Sequence, residues 1–377
     1  MRDLWSFWFP RLHNSVEIYD DRLPPELWKI IIDAVIDEVR HPYRYCTPAT
    51  FPQYRARFRL ADKFDTNSAL EDWKTVRSVC RTWRQLAGPR PHLSLRQYRT
   101  NMSKEEFSGG SSITIERSPP GELIMQNLVA NPAHSHGVTT LIFTHARHHL
   151  VLDTVLDNPS SFPNLRCLSL VSTRSRRPFW EAIQDGYPRL VSLTIKQYSG
   201  DYSGYYRLPN VEILDLDSWG EFRLSCPSLK HFAIRHRRND LVTEFIMEHG
   251  HQLESIILDT YGNLSVVGQP QKLWSLFPNI QTLGIQAKLS VSPPHGHPLR
   301  HLRLFPSFRS LEIEEVLTEV AKFPEITHVH IRPDELISGT MDELRARCLK
   351  RNVEVVEVPV AKPVSSSKFL PYMAWME

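Results

Sequence analysis

The feature that most constrains this chain is a phrase of nine residues: apolar, Pro, any, apolar, any, any, apolar, any, apolar. It begins at Phe162, Tyr187, Leu208, Cys226, Phe277, Phe305 and Phe323. With 41% apolar residues and 28 prolines in the chain, chance supplies such a phrase roughly 0.8 times. Seven copies therefore mark a repeated structural unit. The same apolar spacing without its proline occurs at Val138, Leu141 and Phe143, at Leu253, Ile256 and Leu258, and at Val353, Val356 and Val358, which makes ten copies with starts 18 to 28 residues apart. A further match at Leu299, Leu302 and Leu304 falls out of step and is either an extra strand or noise.

Each copy ends in alternation, as in Cys167-Leu168-Ser169-Leu170-Val171, the two-residue period of a short strand buried on one face. Proline ahead of the strand donates no ladder hydrogen bond and favours an extended approach. Helix-like stretches lie between strands, at Pro178 to Asp185 with Trp180 and Ile183, and at Asp240 to His249 with Leu241, Phe245 and Met247. A third follows Thr340, whose spacing to Glu343 is that of a capping box, and carries Leu344 and Leu349. No single unit can bury its apolar face alone, so neighbours must stack. The expected fold class is α/β, with a solenoid of parallel strands on an inner face and helices and loops outside. In this it resembles irregular leucine-rich-repeat proteins, although the asparagine that often follows the strand in the regular motif is missing.

Nearer the start, Leu23-Pro24-Pro25-Glu26-Leu27-Trp28-Lys29-Ile30-Ile31 reads as a helix beginning. Proline sits in the first turn, an early glutamate suits the helix dipole, and Leu27, Ile30, Ile31, Ala34 and Val35 fall at helical spacing. A second helix begins at Ser68, three residues before Glu71, and stops at Ala87-Gly88-Pro89. Its apolar stripe is Trp73, Val76, Val79, Cys80, Trp83 and Leu86.

Leu-Pro-Pro-Glu-Leu-Trp followed by Val-Cys-Arg-Thr-Trp-Arg-Gln-Leu-Ala resembles the F-box, the small all-helical module that docks on the Skp adaptor of Skp-cullin-F-box ubiquitin ligases. The resemblance implies that Leu23, Pro24, Leu27, Ile30, Ile31, Val76, Val79, Cys80 and Trp83 bind the adaptor, and through it cullin. Two such helices enclose too little interior to bury both stripes, so some of these side chains should stay uncovered by the chain itself. One departure is the insertion at 41–67, rich in Arg, Tyr and Phe, where an F-box has a few residues. It is expected to be an exposed loop, with contact to a partner or to the solenoid as the other outcome.

The chain then divides into an N-terminal extension (1–21), the F-box-like part (22–95), a connector (96–135), the solenoid (136–359) and a tail (360–377). The implied function is a non-catalytic receptor that holds a protein substrate on the repeat surface. Outward strand positions are the candidate contacts: Lys196, Asp215, Asp217, His231, Arg235, Asp259, Gln286, Glu312, Glu314, His328 and His330. The alternative is a leucine-rich-repeat scaffold independent of ubiquitin.

The remaining features narrow the field. A formal charge of +3 from 45 basic and 42 acidic residues places nucleic acid well behind protein as a partner, and only Arg55, Arg57 and Arg59 with Tyr54 and Phe58 favour it. The chain has no phosphate-cradling glycine loop, no Gly-x-Ser-x-Gly and no His-Glu-x-x-His, so neither catalysis nor a cofactor is expected. The histidine groups at His134 and His136, at His145, His148 and His149, and at His295 and His297 lack companion ligands for a metal. Cys46, Cys80, Cys167, Cys226 and Cys348 are widely spaced, as free thiols in the cytoplasm or nucleus would be. The apolar run from Trp5 ends at Pro10, too short for a signal core or a membrane span.

Overall fold

The computed structural model describes residues 42–59, 92–94, 112–115, 121–143, 149–171, 178–196, 203–217, 219–235, 240–258, 274–286, 292–306, 311–337 and 339–358. The strands are β1 (His92–Ser94), β2 (Ser112–Ile115), β3 (Thr140–Phe143), β4 (Cys167–Val171), β5 (Ser192–Lys196), β6 (Gly204–Arg207), β7 (Ile213–Leu216), β8 (Phe222–Ser225), β9 (His231–Ile234), β10 (Ser255–Leu258), β11 (Thr282–Gln286), β12 (His301–Phe305), β13 (His328–Ile331) and β14 (Glu354–Glu357). All but β6 and β8 form one 12-stranded sheet in chain order, and β6 pairs with β8 in a separate ribbon. Every pairing is parallel.

The register stacks like on like. Leu93, Ile113, Leu141, Leu168, Leu193, Leu214, Phe232, Ile256, Leu283, Leu302, Val329 and Val355 lie in one unbroken row. Because side chains alternate along a strand, this row and the one two residues on share a face. That face packs under α2 (Gly121–Val129), α4 (His149–Asp157), α5 (Phe179–Gly186), α6 (Asp240–His249), α7 (Ile313–Ala321) and α8 (Met341–Leu349); the short α3 (Pro132–Ser135) follows α2. Met125, Leu152, Trp180, Phe245, Val316 and Leu344 descend from these helices into one continuous core. Each large side chain so buried is worth roughly 1.5–3 kcal/mol. The helices read at Pro178 to Asp185, Asp240 to His249 and after Thr340 are α5, α6 and α8, and the Thr340 hydroxyl accepts the Glu343 N–H.

The recurring proline does not prepare an extended approach. The N–H of the second apolar residue of the phrase bonds back to the carbonyl of the first, at Leu165 to Phe162, Leu190 to Tyr187, Leu229 to Cys226 and Ile326 to Phe323. Proline thus occupies the second position of a β-turn, where its fixed φ is an advantage. The strand then starts with two N–H groups on one carbonyl of the preceding repeat: Arg166 and Cys167 on Thr139, Val191 and Ser192 on Arg166, Glu254 and Ser255 on Lys230.

A polar side chain at the third position of the phrase, which the apolar pattern leaves open, ties five of the turns to the one before. Asn164 Nδ2 donates to His136 O (2.8 Å), Asn210 Nδ2 to Pro188 O (2.7 Å) and Asn279 Nδ2 to His251 O (2.7 Å). Ser228 Oγ and Gln252 Nε2 do the same to Pro209 O and Cys226 O.

Two expectations are corrected. The copy at Phe305 forms no strand: Phe305 is already the last residue of β12, Leu311 makes a single bridge to Leu336, and α7 begins at Ile313. The out-of-step match at Leu299 supplies β12 instead. The sheet also starts before residue 136, since β1 and β2 fall in stretches read as the end of the F-box-like part and the connector. Neither carries the full phrase, so only their pairing reveals them.

Candidate functional site

The opposite face of the sheet has a different chemistry. Its rows read Ser112, Thr140, Cys167, Ser192, Ile213, His231, Ser255, Thr282, His301, His328, and Thr114, Ile142, Ser169, Thr194, Asp215, Ala233, Ile257, Gly284, Arg303, His330. A helix lies on these rows, α1 (Phe51–Arg59), preceded by a short 3-10 turn at Pro42–Tyr45. Thr47 and Thr50 start it by exchanging backbone N–H to hydroxyl bonds (2.9 and 3.3 Å), while Phe51 N–H bonds Thr47 O. This segment lies inside the insertion expected to be an exposed loop. It is a helix seated on the sheet, because Phe51, Tyr54 and Arg55 fall three and four residues apart and so share one side.

Phe51 is fully buried, its ring centroid 5.2 Å from that of His231. The Tyr54 hydroxyl lies 2.6 Å from Ser192 Oγ and 3.9 Å from Cys167 Sγ. Arg55 Nε donates to Asp215 Oδ1 at 3.2 Å, and its guanidinium stands 5.8 Å from the Phe305 ring centroid. The Gln53 amide lies 3.2 Å from His330 Nδ1, and the orientation that aims its oxygen there gives its nitrogen the carbonyls of Ala49 and Thr50 at 3.2 Å each. On its other side, His330 Nε2 lies 3.4 Å from His301 Nδ1. Thr282 Oγ1 donates to Pro48 O at 2.5 Å. Phe51 and Tyr54 join Ile142, Cys167, Ile213, Ala233, Ile257 and Phe305 in a second apolar cluster, with Tyr43 and Cys46 packed against it.

Beside α1 the His301 and His328 rings stack 4.6 Å apart, and Arg303 places Nη2 2.7 Å from both oxygens of Glu335. Arg303 Nη1 donates to the carbonyls of Leu304 and His330, and the guanidinium lies 4.4 Å from the Phe305 ring centroid. His231 Nδ1 pairs with Ser255 Oγ at 3.0 Å. Burial disfavours the imidazolium, lowering His231 and His330 to about 3 and His301 to about 4. The same cause raises Cys167 to about 12 and pushes Tyr54 well above 10. At neutral pH the face thus offers neutral imidazoles, hydroxyls and a protonated thiol, with charge confined to ion pairs.

Of the outward candidates, Asp215, His231 and His330 stand in these rows, but the chain itself covers them, leaving 2%, 3% and 1% exposed. His328 stays half-buried, with Nε2 3.3 Å from Glu354 Oε2. Lys196 ends β5, Asp217 and Arg235 lie just past β7 and β9, and Gln286 ends β11. Glu312 and Glu314 are not strand residues. Glu312 caps α7, and Glu314 pairs with Arg347 at 2.5 Å, because the acidic run suits a helix start. Asp259 and every adaptor position (Leu23, Pro24, Leu27, Ile30, Ile31, Val76, Val79, Cys80 and Trp83) lie outside the described residues. Tyr54 and Arg55, weighed as a nucleic-acid feature, turn toward the sheet.

The sequence pattern missed Phe51, Tyr54, Ser192 and Arg303 as members of this site. The three-and-four spacing from Phe51 to Tyr54 and Arg55 was the available signal. Cys46, Cys167, Cys226 and Cys348 are free thiols, the last three buried. Among the described residues no helix is long and apolar enough to cross a membrane, and no group of three or more His, Cys, Asp or Glu is placed to hold a metal.

No family model matches the chain, and no curated protein does. Among solved structures it is similar to a protein of Bacteroides fragilis from a structural-genomics programme, at 15% identity over 69% of this chain and 68% of that one, with a TM-score of 0.31.

Proposed function

We propose that this chain is a non-catalytic recognition subunit of a Skp-cullin-F-box ubiquitin ligase, working in the cytoplasm or nucleus. Residues 22–95 would dock the Skp-family adaptor, and the polar face of the sheet would hold a protein substrate near the ubiquitin-charged enzyme. The observation that carries the sheet half is the seated helix: a face rich in Ser, Thr, His, Asp and Arg already makes a specific side-chain interface with a segment of protein. Aromatic and arginine anchors of this kind dominate protein interfaces.

The adaptor half rests on the paired motifs at Leu23 to Ile31 and Val79 to Ala87. The anchoring of α1 supports it, because the insertion between the two motifs has its own resting place on the sheet. It need not be accommodated between the adaptor-facing helices.

Pull-down of the full chain with a Skp adaptor tests the assignment. Capture is expected for the unaltered chain and loss of capture for Leu27→Asp and for Val79→Asp. Capture undiminished by both substitutions, or none by the unaltered chain, removes the ligase reading and leaves a ubiquitin-independent scaffold.

A further inference from the structure

The helix on the sheet reports what the face is built to hold. A face meant for permanent burial would be apolar, as the opposite one is, since buried polar groups cost free energy unless paired. Here the rows beneath α1 mix Ser192, Asp215, His231 and Ser255 with Cys167, Ile213, Ala233 and Ile257, and water can satisfy the polar members when α1 is gone. The apolar cluster beneath α1 is separate from the main core, so its loss leaves the stacked leucine rows intact. The contacts are also sharply defined: Asp215 reads an arginine, Ser192 a tyrosine hydroxyl, and His231 lies beside an aromatic ring.

We infer that α1 is a resident stand-in, and that the face over β4 to β10 binds a helical protein segment carrying an aromatic residue followed three and four positions later by Tyr-Arg. The partner segment competes with Phe51, Tyr54 and Arg55 for the same groups. A chain whose site is filled by its own helix binds such a segment only weakly until the helix yields, since apparent affinity falls with the fraction of open sites. The inference rests on the reading of this chain as a binding subunit and makes no use of the adaptor.

A fluorescein-labelled synthetic peptide of residues 42–59 tests it by anisotropy. With the full chain carrying Phe51→Ala, Tyr54→Ala and Arg55→Ala, the peptide should bind at least about tenfold more tightly than with the unaltered chain. An Arg55→Asp peptide should lose at least about tenfold on that chain and regain affinity when Asp215→Arg is added. Absence of peptide binding to the folded triple variant, or equal binding to both chains, overturns the inference.

Should the triple variant fail to fold, hydrogen exchange on the unaltered chain decides. Amides of α1 exchanging at least about tenfold faster than those of β5 and β7 support a helix that lifts off alone. Exchange of α1 together with those strands overturns it. The adaptor is absent throughout, so a negative adaptor pull-down and a negative peptide titration are separate results.

Discussion

Arg55 and Asp215 stand 160 positions apart in sequence, yet Arg55 Nε lies 3.2 Å from Asp215 Oδ1 with both side chains almost wholly buried. This pair joins a helix from the insertion to the middle of the sheet. It holds α1 over the polar face.

Breaking a buried pair by truncating one partner ordinarily costs about 3–5 kcal/mol, because the other charge remains in a poor environment. Here the cost has a ceiling: once it exceeds the docking free energy of α1, the helix lifts and water reaches the remaining charge. Arg55→Ala and Asp215→Ala should therefore each lower urea stability by less than that figure. The double variant should be no less stable than the worse single one, giving a clear coupling term in a double-mutant cycle. Additive losses would mean that the two charges do not act together.

Acid should loosen the same contact. His231 and His330 sit near 3 in the folded chain against about 6.5 when free, so the unfolded or undocked state binds more protons below pH 6.5. The stability they protect is fully present above about pH 6.5 and falls continuously as pH drops toward 3, by about 1.4 kcal/mol per pH unit for each proton taken up. Urea midpoints at pH 7.5, 6.0 and 5.0 should fall in that order, and His330→Gln should shallow the slope. A profile unchanged by His330→Gln would remove this histidine from the explanation.

The turn asparagines should matter in proportion to one hydrogen bond each. Asn210→Ala and Asn279→Ala remove bonds to Pro188 O and His251 O, at about 0.5–1.5 kcal/mol apiece. These side chains are exposed, so the lower end is expected. The two sites serve different steps of the solenoid, and urea denaturation of the double variant should give the sum.

Cys167 is a built-in reporter of α1. Its thiol is buried under Tyr54 and raised to about 12 by that burial, so a thiol reagent should label it very slowly in the native chain. Tyr54→Ala with Arg55→Ala should speed its modification at least about tenfold, whereas Cys226 and Cys348, on the helix side of the sheet, should stay protected. Mass spectrometry after timed alkylation would read this. Equal acceleration at all three would mean global loosening instead of release of one helix.

Much of the architecture was legible in residues because it is periodic. Leu165, Leu168 and Leu170 repeat their spacing at Leu190, Leu193 and Ile195, and such repetition leaves a stacked parallel sheet as the way to bury them. Phe305 misled for the same reason: its phrase is complete, but only neighbouring strands decide that β12 has already used it. β1 and β2 were silent because neither stretch carries the repeated phrase.

The chain's one-dimensional pattern therefore determined the stacked parallel strands, the direction of their leucines and three of the returning helices, at Pro178 to Asp185, Asp240 to His249 and after Thr340, since each depends on contacts within a repeat or between neighbours. Tertiary structure alone decided that the polar face is occupied. Contacts such as Gln53 to His330 and Tyr54 to Ser192 span 277 and 138 positions and obey no local spacing. Asp215 and His231 look solvent-facing to any rule that counts alternation, and only the distant Phe51, Tyr54 and Arg55 bury them.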